Sequence, residues 1–339
     1  TGTDEEGKKI KQMVQDCPDL PAVHHNLGVW LLQKGRNDEA KNAFIRARSY
    51  ADTAATRLGL AHSLLALGEY EEASTIFETL SGMVDFSLLA SHGLVSIDLA
   101  KKDYKEAEVK IRKALELSPT NEQTLLLLGI TLHKQGKNQE AKSVLEQAGG
   151  RLEVKKELIS VLFDLQSYSQ VGKAVDELLN TYPEDLDLLM MLAEYKRLAG
   201  SKTEAVALLD RIVAKDNTNF RALINLGLLT AEAGDLEGCA RYLQQASKAN
   251  PLSSEVQEAI AWFYMKQGAG KQAEDAFTRA LALDPKNSRA QYNYHLLLKS
   301  LGRDSAAQEY RSKAIANGYI ENSKDTKNLV GEIESGTSQ

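Results

Sequence analysis

Cysteine is almost missing from this chain. Cys17 and Cys239 are the only two in 339 residues, too few for a disulfide framework or a zinc site. They fit a reducing compartment, although two thiols also persist in an oxidising one. Proline occurs at only 6 positions, while 43% of residues are hydrophobic and 26% charged. This composition belongs to globular material, enough for two ordinary domains or one repeat array, and excludes a wholly disordered chain. An excess of positive charge is also lacking. Net charge is −6, with 18 basic against 21 acidic residues up to Gly150 and 23 against 26 beyond it. Neither half can neutralise phosphates by a surplus of Lys and Arg, so we expect no nucleic acid partner and no anionic membrane surface.

No apolar run approaches the roughly 18 to 20 residues that cross a bilayer, and the opening "TGTDEEGKKIKQMVQD" has no secretory apolar core. We expect no direct membrane insertion and a soluble chain, cytoplasmic or periplasmic, with any leader outside it. Catalytic signatures are missing as well. There is no phosphate-cradling Gly-rich loop after a strand, no GxSxG elbow, no HExxH and no paired-Cys motif. His24 and His25 are adjacent, so they diverge by about 100 degrees on a helix and cannot form an i, i+4 metal pair. We expect no enzyme, no cofactor and no metal.

What is present is a repeat. The stretch "NLGLLTAEAGDLEGCARYLQQASKANP", Asn225 to Pro251, keeps Gly227 inside a helical apolar run, where glycine costs about 0.5–1 kcal/mol relative to Ala. Its pattern recurs along the chain. The small residue at Gly227 has counterparts at Gly28, Ala61, Val95, Gly129, Ala193 and Ala261. The turn glycine at Gly234 has counterparts at Gly35, Gly68, Gly136, Gly200, Gly268 and Gly302. A second small residue, Cys239, matches Ala40, Ala73, Ala107, Ala141, Ala205, Ala273 and Ala307. Large residues follow at Phe44, Phe77, Ile111, Leu145, Leu209, Leu243 and Phe277, and prolines at 119, 183, 251 and 285 close units. Nine units begin at Pro21, Ala54, Leu88, Glu122, Leu152, Leu186, Phe220, Ser254 and Ser288, mostly 34 residues apart.

A 34-residue repeat with these small-residue, glycine and proline columns resembles the tetratricopeptide repeat (TPR) family, over residues 21 to about 317. The resemblance implies an all-α fold, a right-handed α-solenoid or superhelix of about nine helix-turn-helix units, each an A helix antiparallel to a B helix. Gly234 should end helix A in a left-handed cap, with helix B from about Leu236 to Ala249. Gly227 and Cys239 should face each other where the two helices cross, their small size permitting close backbone approach.

The chain divides on this reading into four stretches. Residues 1–20, with Ile10, Met13 and Pro18, form a leftover half repeat like a helix B. Residues 21–150 hold units one to four, and 151–318 hold units five to nine after an irregular junction. Residues 319–339 form a polar tail, expected to be mobile. At the junction "EQAGGRLEV", Gly149 and Gly150 end helix B early, and a kink or a simple loop deletion would each explain it. The fifth unit lacks the turn glycine. The last unit places Tyr294, His295 and Arg311 where other units carry small or apolar groups, as a polar outer face on a terminal unit requires.

TPR arrays generally hold peptides or partner helices along their A helices, and the resemblance implies the same here. Helical spacing then nominates the face. It includes His25, Asn26, His62 and His92 in the first units, with Val29, Leu89 and His133 beside them, and Arg221, Asn225, Glu258, Trp262, Met265, Arg289 and Asn293 in the later ones. Arg221 with Asn225, and Arg289 with Asn293, are i, i+4 pairs that put a cation and an amide on one face. An amide both donates to and accepts from a peptide backbone, and Arg pairs bidentately with carboxylates. The intervening eighth unit offers Glu255, Glu258 and Ala259, so a clamp for an acidic chaperone tail is incomplete. Trp262 would either anchor a partner or pack on the next A helix. The histidines would make affinity pH-sensitive or simply be satisfied within the fold.

The function expected is a non-enzymatic interaction scaffold or adaptor for a protein or peptide ligand. One version is an assembly factor in a bacterial envelope, pilus or polysaccharide machinery. Alternatives are the substrate-recognition arm of a larger enzyme such as a glycosyltransferase, a cytoplasmic co-chaperone, and a scaffold that self-associates into a homo-oligomer.

Overall fold

The computed structural model describes residues 4–319; the tail expected over 319–339 therefore lies, apart from Tyr319, outside the described residues. Nineteen α-helices and no strand occur among them. The A helices are α2 (Pro21–Gln33), α4 (Ala54–Leu67), α6 (Ser87–Ala100), α8 (Glu122–Lys134), α10 (Leu152–Asp164), α12 (Leu186–Leu198), α14 (Phe220–Glu232), α16 (Ser254–Lys266) and α18 (Ser288–Ser300). They start where the repeat spacing marks them, except that α6 begins at Ser87 instead of Leu88. The B helices are α3 (Asn37–Tyr50), α5 (Tyr70–Ser81), α7 (Tyr104–Leu117), α9 (Asn138–Gln147), α11 (Tyr168–Thr181), α13 (Lys202–Lys215), α15 (Leu236–Ala249), α17 (Gly270–Leu283) and α19 (Asp304–Ala316). A first helix, α1 (Asp4–Asp16), precedes them. The chain forms two compact units, residues 1–161 and 162–339, the division falling inside α10.

Local chemistry sets the ends of the hairpins. Thr53, Asn121, Asp185, Asn219, Ser253 and Asn287 each accept a hydrogen bond from the backbone N–H three residues on, at the start of α4, α8, α12, α14, α16 and α18. These caps satisfy amides that the helix itself leaves open. The turn after helix A requires a left-handed residue, and Gly234 has φ 85°. Where the repeat lacks the glycine, Lys102 and Gln166 adopt the same conformation at φ 59° and 56°, against the steric preference of L-residues.

Inside each hairpin the small columns are fully buried, including Ala40, Ala73, Ala107, Ala141, Ala205, Cys239 and Ala273. The glycines reveal a packing rule more specific than small facing small. A Cβ on Gly28 would lie 2.8 Å from the Phe44 ring of its own B helix, and one on Gly129 would lie 2.4 Å from Leu145. Gly59 and Gly93 do the same toward the preceding unit: a Cβ there would come 2.3 Å from Phe44 and 2.4 Å from Phe77. Phe44 thus lies between Gly28 of its own unit and Gly59 of the next. At Gly227 the nearest atoms, on Leu243 and the Cys239 carbonyl, are 3.4–3.5 Å away. The helices do cross at Gly227 and Cys239, but among the A-helix glycines the approaches too close for a Cβ are at 28, 59, 93 and 129.

In the first unit, Gly7 of α1 takes the register of Ala40 one repeat earlier and packs beneath the Trp30 ring, at 2.1 Å from where its Cβ would be. Helix α9 spans 10 residues, against 14 for α3 and α7. Gly149 beyond it has φ 89°, and a Cβ there would meet Glu122 Oε1 at 2.5 Å. Outside the hairpins, ion pairs stitch successive units. Glu108 accepts from Arg112, Gln135 and Lys137, and these contacts, Lys137 foremost, hold its carboxyl down at about 2.

One expectation fails at the far end of the second unit. Tyr294 and His295 do not make a polar outer face; both are buried. Tyr294 stacks on Phe277 with centroids 5.6 Å apart, and its hydroxyl donates to Glu274. His295 Nδ1 pairs with the Ala307 carbonyl at 2.9 Å. Tyr294 stands where the preceding units carry Leu226 and Ile260, and His295 where they carry Gly227 and Ala261; both rings fill interhelical space, and the polar tip of each finds a partner.

Candidate partner-binding face of the A helices

Within the first unit α2, α4, α6 and α8 touch one another in succession as well as their B partners; within the second, α14, α16 and α18 do so. Among the described residues no two consecutive B helices pack comparably. The A side is therefore the crowded side of each stack.

In the first unit the nominated histidines join neighbouring helices. His25 meets the Phe44 ring edge-on at 5.5 Å, and its Nδ1 lies 3.3 Å from Thr56 Oγ1 on α4. His62 meets Phe77 edge-on at 5.2 Å. His92 Nε2 lies 2.8 Å from Thr124 Oγ1 on α8, and His133 Nδ1 lies 2.6 Å from Glu157 on α10. Burial lowers the pKa of His25, His62 and His92, and the nearby charge of His62 lowers that of His92 further. Neutral imidazoles therefore suit these positions. Asn26, Val29 and Leu89 are the exposed members of this face.

In the second unit the polar residues form rungs between successive A helices, each spanning about one repeat. Asn225 Nδ2 donates to Met190 Sδ at 3.3 Å. Arg221 makes two bonds to the Glu255 carboxylate, both at 3.1 Å. Glu258 Oε1 accepts from Arg289 Nε at 2.6 Å and from Asn293 Nδ2 at 2.9 Å. The i, i+4 pairs thus exist as the spacing indicates, but each arginine is engaged by an acid on α16. Glu258, Asn293 and Trp262 are buried, while Met265 and Asn225 are half-buried and Arg221 and Arg289 exposed. Trp262 packs in the core cluster with Leu223, Val256 and Phe263, and Lys266 Nζ sits 5.6 Å from its ring centroid. Tyr292 is stacked by Tyr319 at 4.1 Å.

Sequence spacing missed Thr56 and Thr124 as histidine partners, and Gly59 and Gly93 as seats for phenylalanine. The second pair left a signal: a glycine recurring two residues before the small column in consecutive units. Among the described residues no group of three or more His, Cys, Asp or Glu could hold a metal ion, and no helix is long and apolar enough to cross a membrane.

Hairpins stacked in this register define a helical-repeat class of protein. Tetratricopeptide repeat models match residues 31–85, 98–153 and 196–263, and a further one matches 254–287. They cover more than half of the chain, which belongs to the tetratricopeptide repeat family. No curated protein matches it in sequence. Among solved structures, the human IFIT1 dimer with m7Gppp-AAAA is similar at 18% identity, with 100% of this chain and 88% of that one covered and a TM-score of 0.58. The human IFIT1 dimer with PPP-AAAA gives 17%, 100%, 88% and 0.57. TTC0263, a thermophilic TPR protein of Thermus thermophilus, gives 22% identity over 52% of this chain and 98% of that one, with a TM-score of 0.48. At these identities the likeness to IFIT1 is one of fold.

Proposed function

We propose that this protein is an adaptor that holds an extended segment of a partner protein along the A helices of its second unit. The observation that carries the reading is the set of rungs: Met190 to Asn225, Arg221 to Glu255, and Glu258 to Arg289 and Asn293. Each fixes polar side chains at about one-repeat intervals, so hydrogen-bonding groups are ordered before a ligand arrives. Packed helices lie about 8–10 Å apart, and an extended chain rises about 3.3 Å per residue. About every third residue of such a ligand would therefore meet a new A helix.

Two of the similar structures hold IFIT1 with m7Gppp-AAAA and with PPP-AAAA. A polypeptide suits this chain better than a polyphosphate or nucleic acid. Net charge is −6, and Arg221 and Arg289 are neutralised by Glu255 and Glu258, which works against a polyanion. The finer reading, an assembly factor for a cell-envelope, pilus or polysaccharide machinery, rests on the partner's identity.

The test is photo-crosslinking in native lysate from a probe at Asn225, compared with one at Arg241 on α15. A protein captured from Asn225 and not from Arg241 supports the reading. Equal capture from both, capture of RNA alone, or capture only of this chain's own copies contradicts it.

A further inference from the structure

The rung between α16 and α18 is incomplete. Glu258 Oε1 receives both Arg289 and Asn293, but Glu258 Oε2 is buried with no hydrogen-bond partner. One helical turn along the same helix, Trp262 Nε1 is buried without a partner as well. Glu258 and Trp262 are 4% and 6% exposed, so neither orphan is relieved by bulk water. A buried acceptor and a buried donor left open are costly, and residues at i and i+4 share a face. Trp30 Nε1 is also unpartnered, but its ring lies among the cations of Lys11, Lys34 and Arg36 and not one turn from a buried open carboxylate; it serves as an internal control.

The charges around the pair select the ligand. Arg289 and Lys266 flank the site and disfavour a cation at Glu258 Oε2. Glu258 itself disfavours a carboxylate. What remains is a neutral group with one donor and one acceptor. A trans main-chain amide presents its N–H and C=O on opposite edges. A primary carboxamide carries a donor and an acceptor side by side at the tip of a flexible stem. Two flexible side chains lie beside the pair: Arg289, which holds Glu258 Oε1, is 60% exposed at its side chain, and Met265 is half-buried in the same cluster as Trp262.

We propose that Glu258 Oε2 and Trp262 Nε1 form a carboxamide site, which takes the side chain of a glutamine or asparagine in the bound segment: the carboxamide N–H donates to Glu258, and its C=O accepts from Trp262. This deepens the reading that an extended polypeptide lies on the A helices. It is tested without the partner. The protein labelled with nitrogen-15 is titrated with propionamide, propionate, propylammonium and N-methylacetamide, and the indole N–H resonances of Trp30 and Trp262 are followed.

Propionamide should shift the Trp262 resonance saturably and leave Trp30 unmoved, while the charged analogues and N-methylacetamide should bind at least about tenfold more weakly, as expected when a hydrogen bond to a charged acceptor is lost. Glu258→Leu, which removes the acceptor, should abolish the response. Trp262→Phe, read at the Asn293 side-chain amide, should abolish it too and keeps the test open if the first variant does not fold. The proposal is overturned if Trp262 does not move, if both indoles move alike, if N-methylacetamide or either ion acts as strongly as propionamide, or if a folded variant responds like the parent. A silent indole alongside specific crosslinking from Asn225 would sink the carboxamide site and leave the adaptor reading standing; the reverse result would do the opposite.

Discussion

Replacing Gly93 with alanine isolates the packing rule. In α6 an alanine gains about 0.8–1 kcal/mol of helix propensity over glycine. Its methyl would lie 2.4 Å from two atoms of the Phe77 ring, and Phe77 is fully buried, so the ring has no solvent side to swing into. Overpacking of this kind costs about 1–3 kcal/mol. The net is a loss of about 1 kcal/mol, up to about 2. Gly227→Ala meets nothing closer than 3.4 Å, keeps most of the propensity gain, and should stabilise by about 0.5–1 kcal/mol. The two variants should therefore differ by about 2 kcal/mol in opposite directions. Urea unfolding read by Trp30 in the first unit and Trp262 in the second, each in a background lacking the other tryptophan, measures both. In Gly93→Ala, a further Phe77→Leu change should cost less than in the parent, a coupling that a double-mutant cycle detects. Midpoints that move the same way in both glycine variants, or a cycle with no coupling, would refute the argument.

Other outcomes follow from the same geometry. Lys102→Gly and Gln166→Gly relieve left-handed residues at φ 59° and 56° and should each add up to about 1 kcal/mol, whereas Gly136→Ala, at φ 75°, should lose about 1–2 kcal/mol; unchanged melting in all three would count against the turn assignment. His25, His62 and His92 have folded pKa values below the usual 6.5, so the unfolded chain takes up protons first as pH falls. Stability of the first unit should be flat above about pH 7 and decline from about 6.5 downward, with a smaller slope in His62→Gln; a profile that stays flat down to about pH 5.5 would contradict it. Cys17 is exposed, while Cys239 is buried with its thiol pushed up to about 11. A disulfide reagent should label one thiol at once and the second only on unfolding, and two fast thiols would show that α15 does not pack against α14 as described.

The repeat was legible because its columns are set by helix crossing. Small residues and turn glycines recur wherever backbones approach or φ turns positive, and those demands act locally on residue type. Lys102 and Gln166 show the limit: the turn keeps its shape after its glycine is lost, because the hairpin around it dictates φ. The A-helix face was legible in position and less so in state. Spacing placed Arg289, Asn293, Glu258 and Trp262 together, but whether an arginine is engaged depends on a carboxylate about one repeat away in the chain, and whether a tryptophan is buried depends on the neighbouring helix. His25 and His92 illustrate the same point, since their threonine partners lie on the next A helix and no periodicity within one helix reveals them.

The most direct test of an extended ligand on the A helices is its register. Photo-crosslinkers at Ala231, Met265 and Lys299 occupy the same position in α14, α16 and α18, one repeat apart. If the partner lies extended along this face, the three probes should label its residues in linear order, advancing by about three residues per step. Labelling without order, or on segments of the partner far apart in its sequence, would contradict the account.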